Sequence, residues 1–172
     1  MPRPAVDEAS HESVTAEVTL GISRDELAAW FEREGAKAWS ESRAATPAIA
    51  GVVRTEVLTG AFTEIGDRRR IVYSDGNTAV EELVARGPET IARYEVWNDT
   101  RSIARYWRYA TGELVLVPRG AETQVRWTCR FRPKAWPDGY LIGDHVHRDY
   151  RAFMQASLER VASRATAELV LR

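Results

Sequence analysis

Lysine is almost missing from this chain: of 24 basic side chains only Lys37 and Lys134 are lysine. So lopsided a choice fits a GC-rich genome better than a function, and an arginine earns no attention here by type alone. Cysteine occurs once, at Cys129, which rules out an intrachain disulfide framework and fits a reducing, cytoplasmic setting. Net charge is lacking too: 24 basic against 25 acidic groups leave −1, so nothing draws the whole chain to nucleic acid or a membrane surface. No apolar run reaches the ~20 residues that cross a bilayer. The opening twelve residues lack the apolar stretch of a signal peptide and read as a mobile tail. Histidine is scarce and scattered, with no cysteine pair or carboxylate cluster beside it, so neither a metal nor another cofactor is expected.

What is present is enough for one domain with a real core. The chain has 172 residues, 44% apolar and 28% charged, and residues 13–172 read as a single unit. Its last stretch organises the rest. Val146, Tyr150, Phe153, Met154, Leu158, Val161, Ala165 and Leu169 recur at steps of three and four, which draws one apolar stripe along an α-helix. At 1.5 Å per residue that rod runs about 40 Å, and its stripe needs a partner.

The partner is a sheet. Val14, Ala16, Val18 and Leu20 alternate with polar residues in a first strand. Ser23-Arg24-Asp25-Glu26 is a capping box, with Ile22 and Leu27 spaced as its hydrophobic staple. A short helix carrying Trp30 and Phe31 follows to Gly35, then a second carrying Trp39. Strands are expected over Val52–Thr59, Arg68–Ser74, Thr78–Arg86, Thr90–Trp97, within Ile103–Val117, and over Thr123–Arg132. Turn residues such as Asp75-Gly76 separate them. Thr111-Gly112 suggests a bulge or bend. The pattern predicts an α+β helix-grip fold: a curved antiparallel sheet of about six or seven strands around the long C-terminal helix, with two short helices after the first strand. A ligand cavity is expected in the gap between sheet and helix.

The segments "VTAEVTLGISRDELAAWFE", "RRRIVYSDGNTAVEELV" and "GAETQVRWTCRF", followed by the long helix, resemble the START/Bet v 1-like (SRPBCC) superfamily over Ser13–Ala167. Within it the resemblance is to the bacterial polyketide cyclase/dehydrase-like group. That resemblance implies a cavity for a small apolar or aromatic polyketide-like molecule, in secondary metabolism such as antibiotic biosynthesis. An acyl carrier protein is the macromolecular partner it suggests. It implies that Arg86, late in a middle strand, anchors substrate oxygens and supplies a proton, and that Trp39 lines the pocket. The group also uses a tyrosine soon after that tryptophan, and "SESRAATPAIAG" has none. This departure puts the specific cyclisation chemistry in doubt.

Residue parity adds further candidates. Glu82 shares its side of a strand with Val80, Val84 and Arg86, so a Glu82–Arg86 pair on the concave face is expected unless a bulge shifts the alternation. Arg108 shares a side with Tyr106, and Tyr94 or Tyr106 would relay protons. Trp127 and Cys129 point inward as core or cavity lining. His145, near the expected mouth, is a candidate acid or base. Tyr150 joins Trp39, Glu82, Arg108, Trp127 and His145 as a candidate ligand contact. Arg68-Arg69-Arg70 reads as a solvated strand start. Three functions remain open: an aromatase/cyclase or dehydratase, a noncatalytic carrier or sequestering (self-resistance) protein, and an interaction module with a filled cavity.

Overall fold

The computed structural model describes residues 3–5, 11–40, 46–87 and 89–169, with side chains for all of these except 36–40. The first helix begins where its capping box requires. The Ser23 hydroxyl donates to Glu26 Oε2 at 2.6 Å, and longer bonds of 3.4 Å join each residue's N–H to the other's side chain. Ile22 and Leu27 are both buried in the same apolar cluster, as a hydrophobic staple demands. Helix α1 spans Arg24–Ser40, but Gly35 at φ 58°, ψ −146° leaves the helical region. Glycine alone adopts such a conformation without strain. The two expected short helices are therefore both present and meet at a kink at Gly35.

Seven strands follow in one antiparallel sheet: β1 (Glu12–Leu20), β2 (Val52–Thr59), β3 (Arg68–Tyr73), β4 (Thr78–Ala85), β5 (Thr90–Trp97), β6 (Trp107–Arg119) and β7 (Glu122–Pro133). Their spatial order is β1-β7-β6-β5-β4-β3-β2. Short connections make β2 to β7 a meander, and β1 pairs with β7 at one edge. The Asp75-Gly76 turn joins β3 to β4, with Gly76 at φ 83°. The stretch from Ile103 divides into a 3-10 turn at Ser102–Tyr106 and the long strand β6. No bulge occurs at Gly112, where the β6–β7 register runs straight through.

The C-terminal helical run is α2 (Asp138–Asp144), a π-helical turn (His145–Tyr150) and α3 (Arg151–Leu169). Among the described residues, no helix is long and apolar enough to cross a membrane. Its stripe is buried as the spacing predicts, from Val146 through Phe153, Met154, Leu158 and Val161 to Ala165. The run packs directly on the β1–β7 half of the concave face. Trp127 lies 6.1 Å from Phe153, and Phe131 meets Tyr150 edge-on at 4.8 Å, centroid to centroid. These aromatics fill the space between α3 and the sheet. Among the described residues no enclosed gap lies there, only an open depression between β1 and the helical run lined by Thr15, Arg151 and Gln155. Phe153→Ala should consequently cost the full ~3–5 kcal/mol of a packed aromatic in chemical denaturation. A loss near 1 kcal/mol would mean that space exists beneath this helix.

Candidate functional site

The open space lies on the other half of the sheet. There β3, β4 and β5 face α1 across a cavity of about 490 Å³. Ala28 and Phe31 of α1 form one wall, and Leu83, Ile91 and Leu114 form the other. Arg69, Tyr94, Thr63, Arg86 and Glu32 are the polar groups along this lining. No residue of α3 takes part.

Arg69 stands on β3 opposite Glu81 of β4. Its Nε and Nη2 reach Glu81 Oε2 at 2.8 and 2.7 Å, and the two side chains are only 3% and 2% exposed. Charges so deeply buried persist only when paired, because desolvation costs each several kcal/mol. The Phe62 ring covers the guanidinium at 3.9 Å. Phe62 has φ 60°, uncommon for a residue with a side chain. The loop that holds it is wound around one carboxylate: Asp67 Oδ2 accepts from the N–H groups of Ala61, Thr63 and Glu64 at 3.2, 3.0 and 3.0 Å. The bonds from Glu64 and then Thr63 hold the Asp67 carboxyl below its ordinary range. Gly60 is required here, since a Cβ would sit 1.8 Å from Asp67 Oδ1.

Tyr94 is placed by two other strands. Trp127 Nε1–H of β7 donates to the Tyr94 oxygen at 2.9 Å. Gly112 of β6 makes the space, for a Cβ there would lie 2.1 Å from Tyr94 Cζ. Arg86 closes the rim. Its Nη1 donates to the Thr63 carbonyl at 2.9 Å and its Nη2 to Glu32 Oε1 at 3.1 Å, tying the Asp67 loop to α1.

The expected Arg86–Glu82 pair does not form. The β4–β5 register slips between Leu83 and Ala85, so Val84 is an extra residue in the strand. That bulge carries Arg86 to the cavity side with Leu83 and leaves Glu82 on the convex face. There Glu82 accepts from Arg68 Nε at 2.5 Å and Arg3 Nη1 at 2.8 Å, while Arg3 Nη2 holds Glu95 at 2.7 Å. The inward glutamate is Glu81.

Of the other candidates from the sequence, Tyr94 lines the cavity with Arg86, and Trp127 and Tyr150 are packed behind it in the aromatic core. Tyr106, Arg108 and His145 gather at the opposite end of the sheet and do not line the cavity. Tyr106 accepts from Arg105 at 2.8 Å, Arg108 donates to the Lys134 carbonyl at 3.2 Å, and His145 stacks on Trp107 at 6.2 Å. The Trp39 side chain lies outside the described residues. Sequence reasoning missed Arg69 and Phe62. A usable signal existed: in a run of three arginines on a strand, alternation sends at least one inward, opposite the Glu81–Glu82 pair of the next strand.

Two predictions follow from this geometry. Gly112→Ala should displace the Tyr94 ring and weaken binding of any cavity ligand at least tenfold in fluorescence titration, while far-ultraviolet circular dichroism stays native. The second concerns His145, whose burial outweighs the opposing hydrogen bond it donates to Asp149 and pushes its pKa below the ordinary value. A base lowered in the folded state takes up protons on unfolding. Its contribution is therefore complete above the unfolded pKa of about 6.5 and is lost as pH falls below it. The melting temperature should drop between roughly pH 7 and 5, and His145→Gln should flatten that drop.

No family model and no curated protein matches this chain. Solved structures do. Norcoclaurine synthase from Thalictrum flavum, in complex with dopamine and hydroxybenzaldehyde, superposes with a TM-score of 0.67 at 12% identity, covering 98% of each chain. Ara h 8.0201 gives 0.66 at 15% identity over 92% of this chain and 99% of its own. Major latex-like protein 151 from Panax ginseng gives 0.61 at 15% over 90% and 97%. The seven-stranded antiparallel sheet and the long terminal helix are thus those of the START/Bet v 1-like helix-grip fold.

Proposed function

We propose that this protein binds a small, largely apolar aromatic molecule of polyketide type in the cavity between α1 and β3–β5. The observation that carries the reading is the cavity itself. At about 490 Å³ with an apolar lining and a few convergent polar groups, it has the size and character of small-molecule sites. Arg86 and Tyr94 are the contacts assigned to the ligand's oxygens, Arg86 at the rim and Tyr94 on the wall. Arg69, pinned by Glu81 and capped by Phe62, gives the wall a fixed, charge-paired guanidinium. A planar ligand would lie between the Phe31 and Leu83 walls.

Catalysis is the second reading, and one observation favours it. Tyr94 is buried and receives a hydrogen bond from Trp127, which stabilises developing negative charge on the phenol oxygen and suits it to proton transfer. Arg86 would then hold an enolate oxygen during cyclisation, aromatisation or dehydration. The structural neighbour that holds dopamine and hydroxybenzaldehyde is a named synthase, so the fold accommodates chemistry as well as carriage.

The test is a titration with a hydroxynaphthoic acid followed by fluorescence. Ala29, on the cavity side of α1, is itself exposed, so Ala29→Trp should plug the cavity without unfolding the protein and abolish binding. Arg86→Lys keeps charge but loses the planar fork, and should weaken binding roughly tenfold, about 1.4 kcal/mol. Unchanged affinity in both variants would overturn the assignment.

A further inference from the structure

Strand β2 ends the sheet, with no strand beyond it among the described residues. Exposed edges invite pairing, and proteins normally blunt them. This one carries exposed apolar side chains: Val53 is 57% exposed, Val57 66% and Leu58 40%, with Ile65 in the following loop at 67%. The sequence around Thr55, Val53-Arg54-Thr55-Glu56-Val57, is also complementary to itself under inversion: Val53 matches Val57, and Arg54 is opposite in charge to Glu56.

That symmetry has a geometric consequence. When two copies of a strand pair antiparallel about a twofold axis through residue i, residue i−1 of one faces residue i+1 of the other. An axis through Thr55 sets Arg54 against Glu56 of the second copy, twice, and Val53 against Val57, twice. Opposite charges meet across the axis within the regular stretch Arg54–Val57, and Val53, bulged at its end, comes beside Val57 of the second copy. Any other register places Arg54 or Glu56 against an apolar or like-charged residue.

Within one chain Arg54 already contacts Glu56 at 2.9 Å, and Arg70 contacts Glu56 at 3.0 Å. The charges are therefore held on one face of the strand, ready to exchange partners across the axis. Register shifts at Val53 and Leu58 flank the regular stretch and keep the ladder short. We infer that this edge is a self-complementary docking surface for a second copy of the chain, joining two sheets through β2. A ladder of this length buries less than the ~1,200 Å² of a stable interface, so the dimer is a weak, concentration-dependent one.

Sedimentation velocity and a thiol trap test it together. The mean mass should rise toward twice the chain mass between about 10 and 500 µM protein, as mass action requires. Glu56→Arg sets like charges across the axis and should abolish the rise, while Arg54→Glu combined with Glu56→Arg should restore it. Both variants place arginine beside Arg70, but only the double variant restores the intrachain pair between positions 54 and 56. The thiol trap is therefore what separates pairing between copies from a change within one chain. In a Cys129→Ser background, Thr55→Cys on the axis brings two thiols to Cα separations of about 4.5–5.5 Å, within disulfide range. It should cross-link at least tenfold faster than Leu58→Cys, whose copies stand about 20 Å apart. A flat mass profile with equal cross-linking rates would overturn the proposal. So would a dimer that Glu56→Arg leaves intact, since it would form through another face.

Discussion

The Arg69–Glu81 ion pair is the constraint on which the cavity half of the molecule rests. It joins β3 to β4 on the concave face, where an ordinary core would place two apolar residues. Two such residues would draw α1 down onto the sheet, as Trp127 and Phe131 draw α3 onto the other half. A buried pair adds little net stability over an apolar replacement of equal volume, but losing one partner leaves an uncompensated charge. It is therefore better understood as a device for keeping a wall polar and fixed. Phe62 shields the guanidinium, Asp67 winds the loop that carries Phe62, and Arg86 ties that loop to α1. The cavity mouth is thus assembled outward from one ion pair.

The concave face is divided between two jobs. Under α3 the aromatic and aliphatic side chains interlock, which supplies the core. Under α1 small residues such as Ala28 and Ala92 leave volume open. Tyr94 and Trp127 sit on the boundary and are hydrogen-bonded across it. The phenol that faces the cavity is consequently held by the best-packed part of the protein, a rigidity that both selective binding and proton transfer need.

Much of the architecture was legible in the sequence because it rests on local patterns. The box from Ser23 to Glu26, the alternation through Val125, Trp127, Cys129 and Phe131, and the stripe from Val146 to Ala165 each report burial directly. The strands Val52–Thr59 and Thr90–Trp97 have the bounds that their flanking turn residues imply. The cavity was less legible, for physical reasons. A bulge at Val84 leaves no mark in residue types, yet it reverses the side that Arg86 occupies relative to Glu82. Gly112 looked like a bend because its reason, the Tyr94 ring, lies eighteen positions away on a neighbouring strand. Arg69 was hidden in a run of three arginines whose outer members do face solvent or the convex side.

The claim at the centre of this account is that ligand enters beneath α1 and not beneath the terminal helix. Methyl-resolved nuclear magnetic resonance of the protein titrated with a hydroxynaphthoic acid tests that claim most directly. The account predicts that the methyl signals of Leu83, Ile91 and Leu114, which line the cavity, shift together and saturate together. Those of Leu158 and Val161, buried in the packed half, should stay in place. Shifts confined to Leu158 and Val161, with Leu83, Ile91 and Leu114 unmoved, would contradict it.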